Sequence, residues 1–266
     1  MKERALSQFP NLDEEDKLKS QGYELIAGID EVGRGALAGP VVASAVILPH
    51  PANLPWFQLV RDSKELNSRK RESLFDLINK EAVAVGIGIV PPQVIDSVNI
   101  FRATKLAMMQ AVEKLPKQPN FLLIDRLSLS QCPIPQRGIT RGDKSCLSIA
   151  CASIIAKVTR DRMMEDFDIM YPGYGFAQHK GYGTRKHISC LQKVGPSPIH
   201  RLYFAPVRNM ITTQGSVPLT SGHSEPFPYC HYDPSASCHS EGAERPKNLI
   251  QGRLSGRADD ESPRSW

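Results

Sequence analysis

No apolar run in the 266-residue chain approaches the roughly 18–20 residues that a membrane-spanning helix needs, so a spanning protein is not expected. The opening stretch, MKERALSQFPNLDEEDK, is charged throughout and lacks an apolar h-region, so it does not read as a secretory signal. Cysteine is scarce. Six residues without regular spacing make no disulfide framework in a chain of this length, which points to a reducing, cytoplasmic setting. Neither sign of charge dominates: 33 Lys plus Arg against 28 Asp plus Glu leave +5. What is present is ordinary globular material, 41% hydrophobic and 23% charged, enough for one large domain or two modest ones.

The charge is unevenly spread. Residues 1–208 hold 28 Lys plus Arg against 21 Asp plus Glu, a charge of +7, whereas the last 58 residues hold 5 against 7, a charge of −2. That last stretch has six Pro and only seven Leu, Ile, Val or Phe, with neither a helical nor a strand period. It buries too little apolar surface to offset the entropy of ordering. The organisation expected is a short N-terminal lead over 1–19, a folded unit over 20–208 and a disordered tail over 209–266. The basic excess then belongs to the folded unit, which suits an anionic partner such as nucleic acid, although many proteins of this charge bind none.

Within the folded unit, 23–29 (YELIAGI) reads as a strand that ends in Asp30-Glu31, and 41–48 (VVASAVIL) as a second, closed by Pro49. Over 68–81, Leu74, Leu77 and Ile78 share one face of a predicted helix, with Ser68 as its N-cap. A β-branched run over 83–90 stops at Pro91-Pro92. Helical spacing of Leu106, Met109, Val112 and Leu115 predicts a helix over 101–115, and 121–125 (FLLID) a short buried strand ending in an acid. Residues 133–140 are a weaker strand candidate. A long helix follows over 144–170, whose small residues (SCLSIACASIIAKV) suggest close packing on a sheet. This order predicts an α/β fold, a mixed sheet flanked by helices with a helical C-terminal appendage.

Four acids stand where this scheme would gather them. Asp30, Glu31 and Asp125 end apolar strands, and Asp143 precedes the long helix, near the positive end of its dipole. Oxygen-only clusters suit Mg²⁺ or Mn²⁺, and two such ions about 4 Å apart can activate a water and stabilise the leaving oxygen of a phosphodiester. Each acid alone could equally be capping an element. The loop Gly33-Arg34-Gly35-Ala36-Leu37-Ala38-Gly39 invites comparison with a dinucleotide fingerprint, but a strand follows it where that motif requires a helix. A loop that lets backbone N–H groups approach a sugar-phosphate ligand remains, with a plain tight turn as the alternative.

At residues 28–42, GIDEVGRGALAGPVV, the sequence resembles the type 2 ribonuclease H family, ribonuclease HII. The resemblance continues through Asp62-Ser63-Lys64-Glu65-Leu66, Leu123-Ile124-Asp125, Gly142-Asp143-Lys144-Ser145, residues 152–158 and residues 174–182. It ends near His200-Arg201 and residues 204–207. It implies a ribonuclease-H-like fold with a five-stranded mixed sheet, a divalent cofactor (Mn²⁺ or Mg²⁺), and cleavage of the RNA strand of RNA/DNA hybrids. Cutting at ribonucleotides embedded in duplex DNA, with 3′-hydroxyl and 5′-phosphate ends, is implied too. The family's metal-binding and catalytic acids fall on Asp30, Glu31, Asp125 and Asp143. Gly33, Arg34 and Gly35 would contact the backbone and sense the 2′-OH, and Tyr182 would stack on the following deoxyribose. Lys64, Lys144, Lys157, Lys180 and Arg201 become candidates for phosphate contacts, each equally readable as a solvated charge.

The sequence departs from the family pattern at Arg126-Leu127, at Leu202-Tyr203 and in its tail. The pairs Cys230-His231 and Cys238-His239 match no common zinc spacing, so no metal is expected there. A monomer is expected. Two rivals remain, another two-metal nuclease of the same fold and a non-catalytic hybrid-binding module. Four intact acids and a ribose-sensing loop argue against both.

Overall fold

The structure is a computed structural model that describes residues 9–50 and 54–213. The apolar runs of the first half become strands β1 (Ile26–Val32), β2 (Val41–Ile47), β3 (Ala84–Val90), β4 (Phe121–Asp125) and β5 (Gln136–Ile139). They form one sheet in the order β3-β2-β1-β4-β5. β1 and β3 flank β2 antiparallel, whereas β4 runs parallel to both β1 and β5. The five-stranded mixed sheet flanked by helices is the architecture expected.

Helices α2 (Ser68–Glu81), α3 (Pro92–Val98), α4 (Ile100–Glu113), α5 (Gly142–Ser145) and α6 (Leu147–Met170) supply the two outer layers. On one face Ala27, Ile29, Val41, Ala43 and Ala45 of the sheet pack with Ala103, Ala107, Met108 and Ala111 of α4. On the other, Val42 and Val46 meet α2 and α6 through Leu74, Ile78, Ile154 and Ile155. Both helices lie almost on the strands. A Cβ on Gly28 would come within 2.2 Å of the Ser148 carbonyl carbon in α6, and one on Gly88 within 1.9 Å of the Ala107 oxygen in α4. Glycine in the strands and small residues in the helices are two halves of one requirement.

That requirement corrects the predicted face of α4. Spacing selected Leu106, Met109, Val112 and Leu115, yet Leu106 is exposed and the sheet-facing row is Ala103, Ala107 and Ala111. Larger side chains there would hold the helix off the strand. The long helix also differs from expectation: residues 142–145 form a separate short turn, and α6 starts at Leu147.

Helix α1 (Asp13–Ser20) lies inside the stretch expected as a lead. Its Leu18 is fully buried with Ile26, Phe121 and Ile149, and its Glu15 carboxylate accepts from the Ser148 N–H at the start of α6 (2.9 Å). The C-terminal helices are α7 (Phe176–His179), α8 (Arg185–Val194) and α9 (Ala205–Thr213), the last running past Arg208. Residues 214–266, with both Cys-His pairs, lie outside the described residues. No helix among the described residues is long and apolar enough to cross a membrane.

Candidate active site

The parallel half of the sheet positions the acids. Ile29 and Ile124 are the last residues paired between β1 and β4, so Asp30 and Asp125 stand next, at neighbouring carboxyl-terminal ends. This is the edge of an α/β sheet where ligand crevices form. Contrary to expectation, β1 does not end before Asp30-Glu31 but runs on to Val32, paired with β2. Alternation along the strand therefore sends Asp30 toward α6 and Glu31 the other way. Both still line one cavity of about 420 Å³, because β4 has stopped and leaves that flank of β1 open. Asp125, Asp143, Arg34, Lys64 and Tyr182 line the same cavity.

The cavity floor is electrostatically loaded. Asp30 is 6% exposed, and burial, then the charges of Glu31 and Asp125, hold its carboxyl well above the usual carboxylate range. Two hydrogen bonds oppose this, from Ser153 and from the Glu31 N–H (2.8 Å). Glu31 is raised by burial against the pull of Arg34, whose guanidinium lies 3.1 Å from one of its oxygens. Its other oxygen, Oε2, is buried with no hydrogen-bond partner. Asp125 is raised by burial while accepting from the Gly142 N–H (2.8 Å). Asp143 lies 3.7 Å from the Lys64 ammonium. The helix dipole expected to favour Asp143 is slight, since α5 has only four residues.

The donor set fits a hard, hydrated divalent cation. Among the described residues no group of three or more His, Cys, Asp or Glu forms a ready-made metal cage. An ion of the Mg²⁺ type does not need one, because it takes one or two carboxylates and keeps water or substrate oxygens for the rest of its shell. The unpartnered Glu31 oxygen and the crowding of like charge around Asp30 are what a cation would relieve.

Other predicted residues fall differently. Gly33 has φ +92°, and a Cβ there would lie 2.3 Å from Arg160 Nε and 2.8 Å from the Pro40 oxygen, so its glycine is demanded by the loop itself. Around Gly35 that position is open. Lys144 does not line the cavity and is held by Asp62 (3.3 Å) and Glu65 (3.1 Å). Lys180 pairs with Glu165 (2.6 Å). Lys157 does line the cavity, with Asp161 2.7 Å away.

Arg201 is no surface cation. It is fully buried and donates to the Gly39 oxygen (2.9 and 3.0 Å) and the Arg34 oxygen (3.0 Å). Arg160, equally buried, donates to the Pro40 (2.9 Å), Ala38 (3.1 Å) and Lys180 (2.8 Å) oxygens. Arg160 thus ties the glycine-rich loop to the segment carrying Tyr182, and Arg201 holds the loop at Arg34 and Gly39. Sequence reasoning also missed Ser63 and Ser153, whose hydroxyls lie 2.9 Å apart beneath Asp30. A signal existed: in the apolar stretch 149–158 the two polar residues, Ser153 and Lys157, are four apart on one helix face.

A family model described as Ribonuclease HII matches residues 27–207. The ribonuclease HII of Dehalococcoides mccartyi is 55% identical over 202 residues, 76% of this chain and 95% of that protein. Ribonuclease H2 from Pyrococcus horikoshii superimposes with a TM-score of 0.60 at 25% identity, over 71% of this chain and 98% of the other. The ribonuclease HII of Archaeoglobus fulgidus, solved as a complex with PCNA, gives 0.59 at 25% identity, over 70% and 96%. More than half identity along nearly the whole of a relative shows that the chain belongs to the ribonuclease HII family, metal-dependent endoribonucleases that act on the RNA of RNA/DNA hybrids.

Proposed function

We propose that this enzyme also cuts at single ribonucleotides embedded in duplex DNA, by two-metal-ion hydrolysis that leaves 3′-hydroxyl and 5′-phosphate ends. The observation that carries the reading is the convergence of four acids from three separate segments on one cavity bordered by Arg34 and Tyr182. Asp30, Glu31 and Asp125 would hold the ions, Mg²⁺ or Mn²⁺, with Asp143 completing the site. When bound, the ions supply positive charge against the scissile phosphate and lower the pKa of an attacking water.

The remaining work falls to the chain's own groups. Ser153, backed by Ser63, holds the Asp30 carboxylate in place. Lys64 and Lys157 offer cationic contacts to phosphate oxygens at the rim. Arg34 and the open backbone at Gly35 lie where a ribose 2′-OH could be read, the one group that tells RNA from DNA at a given position. Gly33 shapes that loop, and Tyr182 offers its ring to the next sugar. Lys144 acts at one remove, through its pairing with Asp62 and Glu65. The reading extends to a monomer in a reducing cytoplasm, which the buried, unbridged Cys132, Cys146 and Cys151 favour. It keeps residues 20–208 as the functional unit.

The test is a DNA duplex with one ribonucleotide, incubated with Mg²⁺, Mn²⁺ or EDTA beside the Asp30→Asn variant. A single cut with either metal, products that a polymerase extends from the 3′ end, no cut in EDTA and cleavage slowed by about two to three orders of magnitude in the variant are expected. Cleavage of an all-RNA strand that spares the single ribonucleotide would refute the finer reading. Equal cutting of all-DNA duplex would favour a general nuclease.

A further inference from the structure

Next to Tyr182, three imidazoles are packed together. His187 is fully buried, and His200 and His179 nearly so. His179 stacks on His187 with ring centroids 4.2 Å apart, and Phe176 closes the cluster edge-on to His187 at 5.6 Å. None of these rings lines the carboxylate cavity, so none is part of the chemistry there.

Their protons can be assigned from their partners. His187 Nδ1 lies 3.0 Å from the Tyr182 carbonyl oxygen, which can only accept, so Nδ1 carries the hydrogen and Nε2 is bare. The Ser197 N–H, 2.9 Å from His200 Nδ1, can only donate, so that nitrogen is bare and His200 Nε2 carries the hydrogen. The two Nε2 atoms are 3.0 Å apart, and the assignments meet there: His200 donates and His187 accepts. His179 follows the same logic, donating from Nε2 to the Tyr174 oxygen (2.8 Å) and accepting from the Gly181 N–H (3.2 Å) at Nδ1. Burial favours the neutral rings that this scheme requires, pushing His187 down to about 4 and His200 to about 3. The outcome is a chain of directed hydrogen bonds, Ser197 to His200 to His187 to the Tyr182 carbonyl.

That chain ends on the Tyr182 carbonyl, which also accepts from the Thr184 N–H (2.8 Å). The Tyr182 N–H donates to the His179 oxygen (2.9 Å), and its ring has the Arg160 guanidinium 5.5 Å away. Ala36 of the glycine-rich loop bridges to Tyr182, and Ala38 to His200. The same relay therefore fixes Tyr182 relative to the loop that pairs with it.

We propose that His187 and His200 are positioning residues for substrate: the directed His200–His187–Tyr182 hydrogen-bond chain sets where the Tyr182 ring stands beside the acids. The inference rests on the proposed role of Tyr182 at the nucleic acid. In His187→Leu the imidazole donor to the Tyr182 carbonyl is lost in a side chain of similar bulk, and only the Thr184 N–H remains on that oxygen. His187→Asn keeps a short donor near the Nδ1 position. His200→Asn keeps an acceptor for Ser197 but drops the link to His187.

The experiment is a double-mutant cycle on the full chain, reading kcat and KM separately on the single-ribonucleotide duplex. His187→Leu is expected to raise KM about tenfold with kcat within about threefold of wild type, and His187→Asn to restore most of the loss. In a Tyr182→Ala background His187→Leu should add nothing, because the ring it positions is gone. If Tyr182→Ala raises KM and His187→Leu multiplies that effect, the positioning role is refuted while the reading of Tyr182 stands. If Tyr182→Ala costs nothing, the reading of Tyr182 fails and takes this inference with it. Should His187→Leu not fold, His200→Asn is read in the same cycle, with an expected KM rise of about threefold.

Discussion

Arg201→Met separates a buried clamp from a surface phosphate contact. Arg201 donates three hydrogen bonds to two carbonyls, and Met in its place leaves the Gly39 and Arg34 oxygens without those donors in a region closed to water. Charge-assisted bonds contribute about 1.5–3 kcal/mol each, and an orphaned buried acceptor costs about 1–3 kcal/mol. Two effects work the other way. Met recovers apolar packing against Phe204, whose ring lies 5.1 Å from the guanidinium, and the repulsion between Arg201 and Arg160 disappears. That repulsion is real, since burial and then Arg160 push Arg201 down to about 9, still charged at neutral pH. The net loss is about 3–5 kcal/mol, the range for breaking a buried charged network. At about 2–4 °C per kcal/mol for a domain of this size, Tm falls by roughly 6–20 °C. Thermal unfolding followed by circular dichroism measures it, with KM for the hybrid rising in parallel as the loop loosens. A Tm within about 2 °C of wild type, together with a salt dependence of binding shallower by about one unit, would refute the clamp and restore Arg201 as a phosphate contact.

Other substitutions test the neighbouring parts. Asp30→Asn should cut cleavage by about two to three orders of magnitude, or about 3–4 kcal/mol. The same change should raise Tm of the metal-free protein by about 2–8 °C. The sign follows from the raised carboxyl: its stabilising contribution is present below the unfolded carboxylate pKa and lost as pH rises through the folded value, so an amide, which never ionises, escapes that loss. A lower Tm for the variant would contradict this. Gly33→Ala should lower Tm, since φ +92° and the Arg160 contact both resist a Cβ, whereas Gly35→Ala should leave Tm unchanged and raise KM. Reversed effects at the two glycines would show that the loop's open side has been misplaced. His187 and His200 have depressed folded pKa values, so their contribution is complete above the unfolded value of about 6.5 and is lost as pH falls toward about 4 and 3. From pH 7.5 to pH 5 that costs about 4 kcal/mol for the two rings, a fall in Tm of about 8–16 °C. In His187→Leu about half of this dependence should vanish, and an unchanged slope would show that the rings are not buried neutral.

Strand identity, the helical face of α2 and the acids at the ends of apolar runs were all legible in the linear pattern. Each depends on neighbours within a few positions, and hydrophobic period and chain-breaking residues report such local choices directly. The four acids needed no tertiary knowledge to be suspected, because an ionisable group next to a buried run is already anomalous. Their assembly was another matter. Asp30 and Asp125 meet because β4 inserts parallel to β1 after nearly a hundred intervening residues, and β1 overshoots it so that Glu31 also lines the cavity. Strand periodicity carries no information about which strand lies alongside.

The same limit explains the arginines and histidines. Arg160, Arg201, His187 and His200 look like ordinary polar residues along the chain, yet they are among its most buried side chains. Whether a charge is solvated or clamped is set by which carbonyls and rings the rest of the fold brings to it, here from segments more than a hundred residues away for both arginines. Leu106 shows the converse. Its spacing marked it for the core, but strand glycines let α4 come so close that alanines took the interface and left leucine in solvent. Sequence pattern ranks residues by their own chemistry and near neighbours, whereas burial and proton placement follow from long-range packing.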